Sequence, residues 1–211
     1  MAKEFIMYVF GVKLTPAWWK LKNTEKRSKI DILTKEIESM YRLNGTIIKT
    51  YASLRYNIDF ILWMTSDNEE KILKLKVFLE KLFNDCISIE YGFLSVCEKS
   101  SSKATGNDFL VVYPMKKSND WYLLPKEERN KIMSEHIAIA RLSTSNKGII
   151  SYTTKSFGIS DDEFLVIYEI PSIQQWTHVV EELRHSKSRK WIANEKPVLV
   201  GIKDNLFLYS E

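Results

Sequence analysis

Apolar runs of strand and helix periodicity alternate along this chain in an order that occurs twice. FIMYVFGVKL (5–14) is apolar nearly throughout and predicts a strand. A helical stretch runs from Pro16 to about Tyr41, with Pro16 placed to open it. GTIIKTYASL and NIDFILWMT predict two strands. SDNEEKILKLKVFLEKLF predicts a helix capped by Ser66 or Asp67, and CISIEYGFLSV a closing strand. The order is β-α-β-β-α-β.

The second half repeats it. FLVVYPM is a strand, LPKEERNKIMSEHIAIA a helix with Pro125 in its first turn, GIISYTTKSFGI and EFLVIYEI are strands, SIQQWTHVVEELRHSKSRKWI is a helix and KPVLVGI a last strand. Between the halves lies the polar, Ser-rich EKSSSKATGND. The expected organisation is an N-terminal ferredoxin-like half over residues 1–97, a linker over 98–108 and a C-terminal ferredoxin-like half over 109–211. The fold class is therefore α+β: two β-α-β-β-α-β units in one chain, whose sheets can face each other as a dimeric α+β barrel.

Several function classes fall away on composition and motif. The net charge of +4 comes from interspersed Lys and Glu, so the basic clustering of a nucleic-acid surface is missing. No stretch has the length and apolarity of a membrane span. The start, MAKEFIMYVFGVKL, lacks the layout of a signal peptide, which makes the cytoplasm the expected location. Cys86 and Cys97 sit in or beside one predicted strand, too far apart to join, and are expected to be free thiols. The sequence holds no CxxC, HExxH, P-loop or GxSxG motif.

What remains is YPMKKSNDWYLLPKEERNKIMSEH (113–136). On its helix, Ile132, Met133, His136, Ile139 and Ala140 share one face, so His136 points inward. Two readings fit: a core histidine satisfied by a hydrogen bond, or an iron ligand, since haem needs a single proximal imidazole. His178 and His185 lie on the polar side and at the basic end of a later helix. Tyr113 ends a strand and is either a core-edge tyrosine or a redox-active one at a pocket mouth. Pro114 is expected to stop the strand, leaving Met115, Lys116 and Lys117 in a connection. Lys117 is either solvated or poised for a substrate carboxylate; Trp121 and Tyr122 either staple the next helix or face the site.

These residues resemble the chlorite dismutase family, and within it the coproheme decarboxylase branch. The resemblance is carried by YPM and the lysines after it, by WYLLP-EER, by M-EH ending at His136, by SFGISDDEF and by LR…R-W. It implies a haem-binding protein: a peroxide-dependent decarboxylase that converts two propionates of iron-coproporphyrin III (coproheme) to vinyl groups, giving haem b. It further implies a homo-oligomer, commonly a pentamer, with tetrapyrrole and hydrogen peroxide as partners and neither nucleic acid nor membrane insertion. By the same resemblance His136 is the proximal iron ligand and Tyr113 the tyrosine oxidised during decarboxylation. Lys117 lies near the reacting propionate, and Met115, Trp121 and Tyr122 lie by the pocket.

The sequence departs from the family twice. Ser151, with Thr153 beside it, stands where an arginine or glutamine overlies the iron, so chlorite dismutation is not implied. Lys187 stands where a glutamate accepts a hydrogen bond from the proximal histidine. The alternatives are a non-catalytic haem or porphyrin binder of the same fold, and a weak haem peroxidase.

Overall fold

The computed structural model describes residues 4–101 and 104–211; Ser102 and Lys103 of the expected linker lie outside them. In chain order the elements are β1 (Phe5–Leu14), α1 (Pro16–Lys20), α2 (Asn23–Asn44), β2 (Ile47–Ser53), β3 (Phe60–Ser66), α3 (Glu69–Phe83), β4 (Ile87–Cys97), β5 (Phe109–Lys117), α4 (Asn119–Leu123), α5 (Lys126–Leu142), β6 (Ile150–Lys155), β7 (Phe164–Ile170), α6 (Ile173–Leu183), β8 (Ile192–Asn194) and β9 (Leu199–Lys203). The chain forms two units, one running to Thr105 and including Leu199–Glu211, the other Gly106–Val198.

In the first unit β1 lies between β3 and β4, and β2 pairs with the far edge of β3, all antiparallel. This is the strand order of a ferredoxin-like unit. The long helix expected after β1 is broken, because Leu21 and Lys22 are extended and the Glu25 carboxylate accepts the Lys22 N–H at 3.0 Å, starting a new helix. α3 is capped by Asn68, whose side chain accepts the Glu70 N–H at 2.7 Å, in place of Ser66 or Asp67. The helix-facing side of the sheet is filled: Phe10, Leu62 and Met64 pack with Trp18, Leu75 and Phe83 in one core cluster.

The second unit repeats the order. β5 lies between β7 and β8, and β6 pairs with the far edge of β7. The three-residue β8 begins at Ile192, the last residue of the helix expected there. The last expected strand, β9, pairs with β2 at Tyr51↔Lys203 through Ser53↔Gly201. Gly201 permits this close approach, since a Cβ there would stand 2.8 Å from Tyr51 Cβ and 3.1 Å from the Ala52 carbonyl oxygen.

Pro114 does not end β5. The strand continues to Lys117, with Pro114↔Leu165 and Met115↔Phe164 in register. The Met115 carbonyl accepts the Glu163 N–H at 3.2 Å, so alternation turns the missing N–H of Pro114 away from β7 and costs that pairing nothing. Met115 and Lys117 therefore sit on a strand, in phase with Tyr113.

Candidate functional site

The period of two along β5 divides its side chains. Leu110 and Val112 are fully buried on one face; Val111, Tyr113, Met115 and Lys117 line a cavity on the other. β7 adds Phe164, Val166 and Tyr168 in the same alternation. Met133 and His136 of α5, and Trp176, Val180 and Leu183 of α6, close the opposite side. The cavity, open to solvent on one side, has a volume of about 870 Å³, in the range of cofactor sites. In the first unit the pocket between α2 and β2, beside Leu33, Ile37 and Ile48, is far smaller, about 100 Å³.

His136 lies on the inward face of α5, half-buried, with its Nδ1 3.3 Å from Ser186 Oγ and 3.2 Å from Ser188 Oγ. Among the described residues no hydrogen bond engages its Nε2. Burial, then the Lys117 and Arg189 cations, pull its pKa down, with Glu195 opposing. The imidazole is thus held neutral, the form that ligates a metal. His178 and His185 are exposed.

Tyr113 stacks on Tyr168 with ring centroids 6.2 Å apart, and its hydroxyl hydrogen-bonds that of Tyr168. Burial first, and then the Tyr168 phenol, push the Tyr113 pKa well up, so the phenol keeps its proton. Tyr168 in turn lies 4.3 Å from the Trp176 ring. Lys117 is only 5% exposed. Burial brings its ammonium down to about 8 against the pull of Glu195 and Glu163. Its Nζ stands 4.7 Å from the centroid of the Trp121 ring, which also lines the cavity.

Two expected site residues are placed elsewhere. Tyr122 does not line the cavity; its hydroxyl donates to Glu163 Oε2 at 2.5 Å, and the same oxygen accepts the Lys117 N–H at 2.9 Å. It acts as a clasp on the end of β5. Ser151 lies opposite Tyr168 in the β6–β7 register but outside the lining, and Thr153 is the β6 side chain that reaches the cavity. Lys187 turns away from His136, its Nζ 2.9 Å from Glu135 Oε2.

Other lining residues escaped sequence reasoning because α6 stops earlier than the periodicity suggests. Helix geometry ends at Leu183, and Ser186 is extended, its hydroxyl capping the next short turn by accepting the Ser188 N–H at 3.3 Å. The chain from Arg184 to Val198 then wraps the cavity. Arg189 pairs with Glu195 Oε1, and Arg184 stands 3.6 Å from Glu195 Oε2. Arg184, Arg189 and Lys117 give the cavity a cationic side suited to carboxylates, with Glu195 as internal counterion. Tyr168 was legible in principle: EFLVIYEI alternates, and its second, fourth and sixth residues, Phe164, Val166 and Tyr168, are the cavity face.

No cluster of three or more His, Cys, Asp or Glu able to hold a metal occurs among the described residues, and no described helix is long and apolar enough to cross a membrane. The site offers one imidazole, a hollow between sheet and helices, and cations at its edge. Those are the parts expected of a pocket for a flat, anionic metal-bearing macrocycle.

Comparison with known proteins agrees with the fold. The profile of the family described as Chlorite dismutase matches residues 26–204, and the chain belongs to that family. It is 27% identical over 163 residues to a coproheme decarboxylase of Mycolicibacterium smegmatis, covering 71% of this chain and 69% of that protein. It is 26% identical over 164 residues to one of Staphylococcus carnosus, covering 63% of this chain and 65% of that protein. Among solved structures, one described as a putative chlorite dismutase superposes with a TM-score of 0.89 at 32% identity, over 99% of this chain and 98% of the other. A heme-binding protein from Thermus thermophilus gives 0.82 at 20% identity, over 97% and 93% of the two chains, which shows the shared fold.

Proposed function

We propose that this chain binds an iron porphyrin in the cavity of its second unit, where His136 would hold the iron through Nε2, and acts as a peroxide-dependent coproheme decarboxylase. The observation that carries the reading is the alternation of β5, which sets Tyr113, Met115 and Lys117 on one cavity face opposite His136. Names of relatives at 26–27% identity supply the reaction class.

The bound iron supplies the redox chemistry through which peroxide oxidises the substrate. Per propionate, one hydrogen peroxide and one proton are consumed, and one vinyl group, one carbon dioxide and two waters are formed. The chain's own residues do the rest. His136 holds the macrocycle through a neutral imidazole. Tyr113 faces the cavity and is the residue placed to pass an electron and a proton, with Tyr168 as its hydrogen-bond partner. Lys117 is buried and close to its neutral form, so it can exchange a proton with a carboxylate as well as attract it. Arg189 and Arg184 receive further carboxylates in competition with Glu195. The hydrophobic faces of Met133, Val166 and Val180 exclude water from the ring.

The test is coproheme-loaded protein treated with hydrogen peroxide and followed by mass spectrometry of the pigment. The expected result is stepwise loss of two carboxyl groups to haem b. A pigment that stays at four propionates while remaining bound through His136 would leave the non-catalytic porphyrin binder as the better reading. Haem b or coproheme as resident group, peroxide as co-substrate, and a pentameric assembly are all parts of this proposal.

A further inference from the structure

Inside the fold, His136 is met by two hydroxyls where a charged acceptor would ordinarily tune a metal-bound imidazole. We infer that Ser186 and Ser188 are positioning residues for the axial histidine, presenting its Nε2 to the iron and, as neutral acceptors, keeping it a weak donor. This rests on the iron-porphyrin reading above and adds how the chain sets the properties of the metal.

The geometry is specific. Nδ1 of His136 stands 3.3 Å from Ser186 Oγ and 3.2 Å from Ser188 Oγ, and the two hydroxyl oxygens are 3.0 Å apart. Both serines are 3% exposed. A hydroxyl has one proton to give and two lone pairs to receive with. One serine can donate to the other and the oxygens still have lone pairs free for an Nδ1–H. With the imidazole as the donor, that bond keeps the proton on Nδ1 and leaves the Nε2 lone pair for a metal. The ring is also fixed in orientation, because the acceptors lie on a segment tied down by its own turn: Ser188 N–H to Ser186 Oγ at 3.3 Å and Arg189 N–H to the Ser186 carbonyl at 3.1 Å.

The charged candidates nearby are otherwise committed. Lys187, between the two serines in sequence, is a donor with no lone pair and pairs with Glu135 at 2.9 Å. Glu195, the carboxylate of the cavity, is held by Arg189 and Arg184. A carboxylate acceptor would draw the Nδ1 proton and push electron density onto the metal; a hydroxyl draws it far less. The expected consequence is a softer iron–histidine bond and a higher ferric/ferrous potential than a carboxylate partner would give.

The test uses native protein and Ser188 variants, each loaded with haem b and separately with coproheme. The readouts are the ferrous iron–histidine stretching frequency by resonance Raman and the midpoint potential by spectroelectrochemistry. Ser188→Asp should raise the frequency and lower the potential. Ser186→Ala/Ser188→Ala should lower the frequency and broaden the band as the ring loses its fixed orientation. Ser188→Thr, which keeps a hydroxyl, should match the native protein, and it guards against a simple packing effect. A Ser188→Asp protein with native circular dichroism and native values of both readouts would overturn the inference while leaving the binding site intact. Failure of the reading beneath it looks different: the native protein would then take up neither porphyrin, or His136→Ala would leave the spectra unchanged.

Discussion

Lys117 and Tyr113 show how a residue's neighbours decide what it can do. Solvated, Lys117 would be an ordinary surface cation; as the last in-phase residue of β5 it is buried, and burial lowers its pKa to about 8. Because the unfolded chain holds that proton up to the usual lysine value, the unfolded state binds more protons between about pH 8 and 10.5. The native fold therefore gains stability relative to a Lys117→Met variant as pH rises through this window, and carries the full cost of the buried cation below it. Urea unfolding of both proteins at pH 7 and pH 10 measures this, and a difference independent of pH would count against it. Tyr113→Phe removes the hydroxyl that meets Tyr168 while keeping the ring stack. It should retain the porphyrin absorbance and lose at least about tenfold in the rate of vinyl formation with peroxide.

At the scale of elements, local pattern told most where the backbone was regular and least where side chains interrupt it. β1 was readable to the residue, because nothing competes with an apolar run bounded by Leu14 and the Thr15 cap. The end of α6 was not, because HSKSRKW keeps a helix-compatible composition while Ser186 diverts its hydroxyl to the backbone. That single local bond moves Ser188 and Arg189 to the cavity. Likewise Pro114 looked like a stop, and only the direction of its missing N–H lets β5 continue to Lys117. β9 was recognised as a strand, but its pairing with β2 was not, since pairing is a long-range choice. Gly201→Ala should weaken its hold on β2 by about 1–3 kcal/mol in chemical denaturation, through the clash with Tyr51 and the Ala52 carbonyl. Asn68→Ala, which removes the cap of α3, should cost about 1 kcal/mol without changing ligand spectra.

For the molecule as a whole, the doubled β-α-β-β-α-β order is visible in the sequence and in both units, and membership of the chlorite dismutase family agrees with it. The two units use the same plan differently. The first fills the space between sheet and helices with Phe10, Trp18, Leu62 and Phe83, and the second leaves about 870 Å³ beside His136. Periodicity could place His136 inward, but whether inward meant core or cavity depended on packing that no local pattern records. If the cavity is the porphyrin site, occupancy adds directly to stability: at a free ligand concentration one hundred times Kd the gain is about 2.7 kcal/mol. The direct test is a coproheme titration of native protein and of His136→Ala, followed by the Soret band. The account predicts saturable binding with a histidine-ligated spectrum in the native protein, and loss of that spectrum in His136→Ala. A native protein that leaves the spectrum of free coproheme unchanged, or a variant that reproduces the native one, would contradict it.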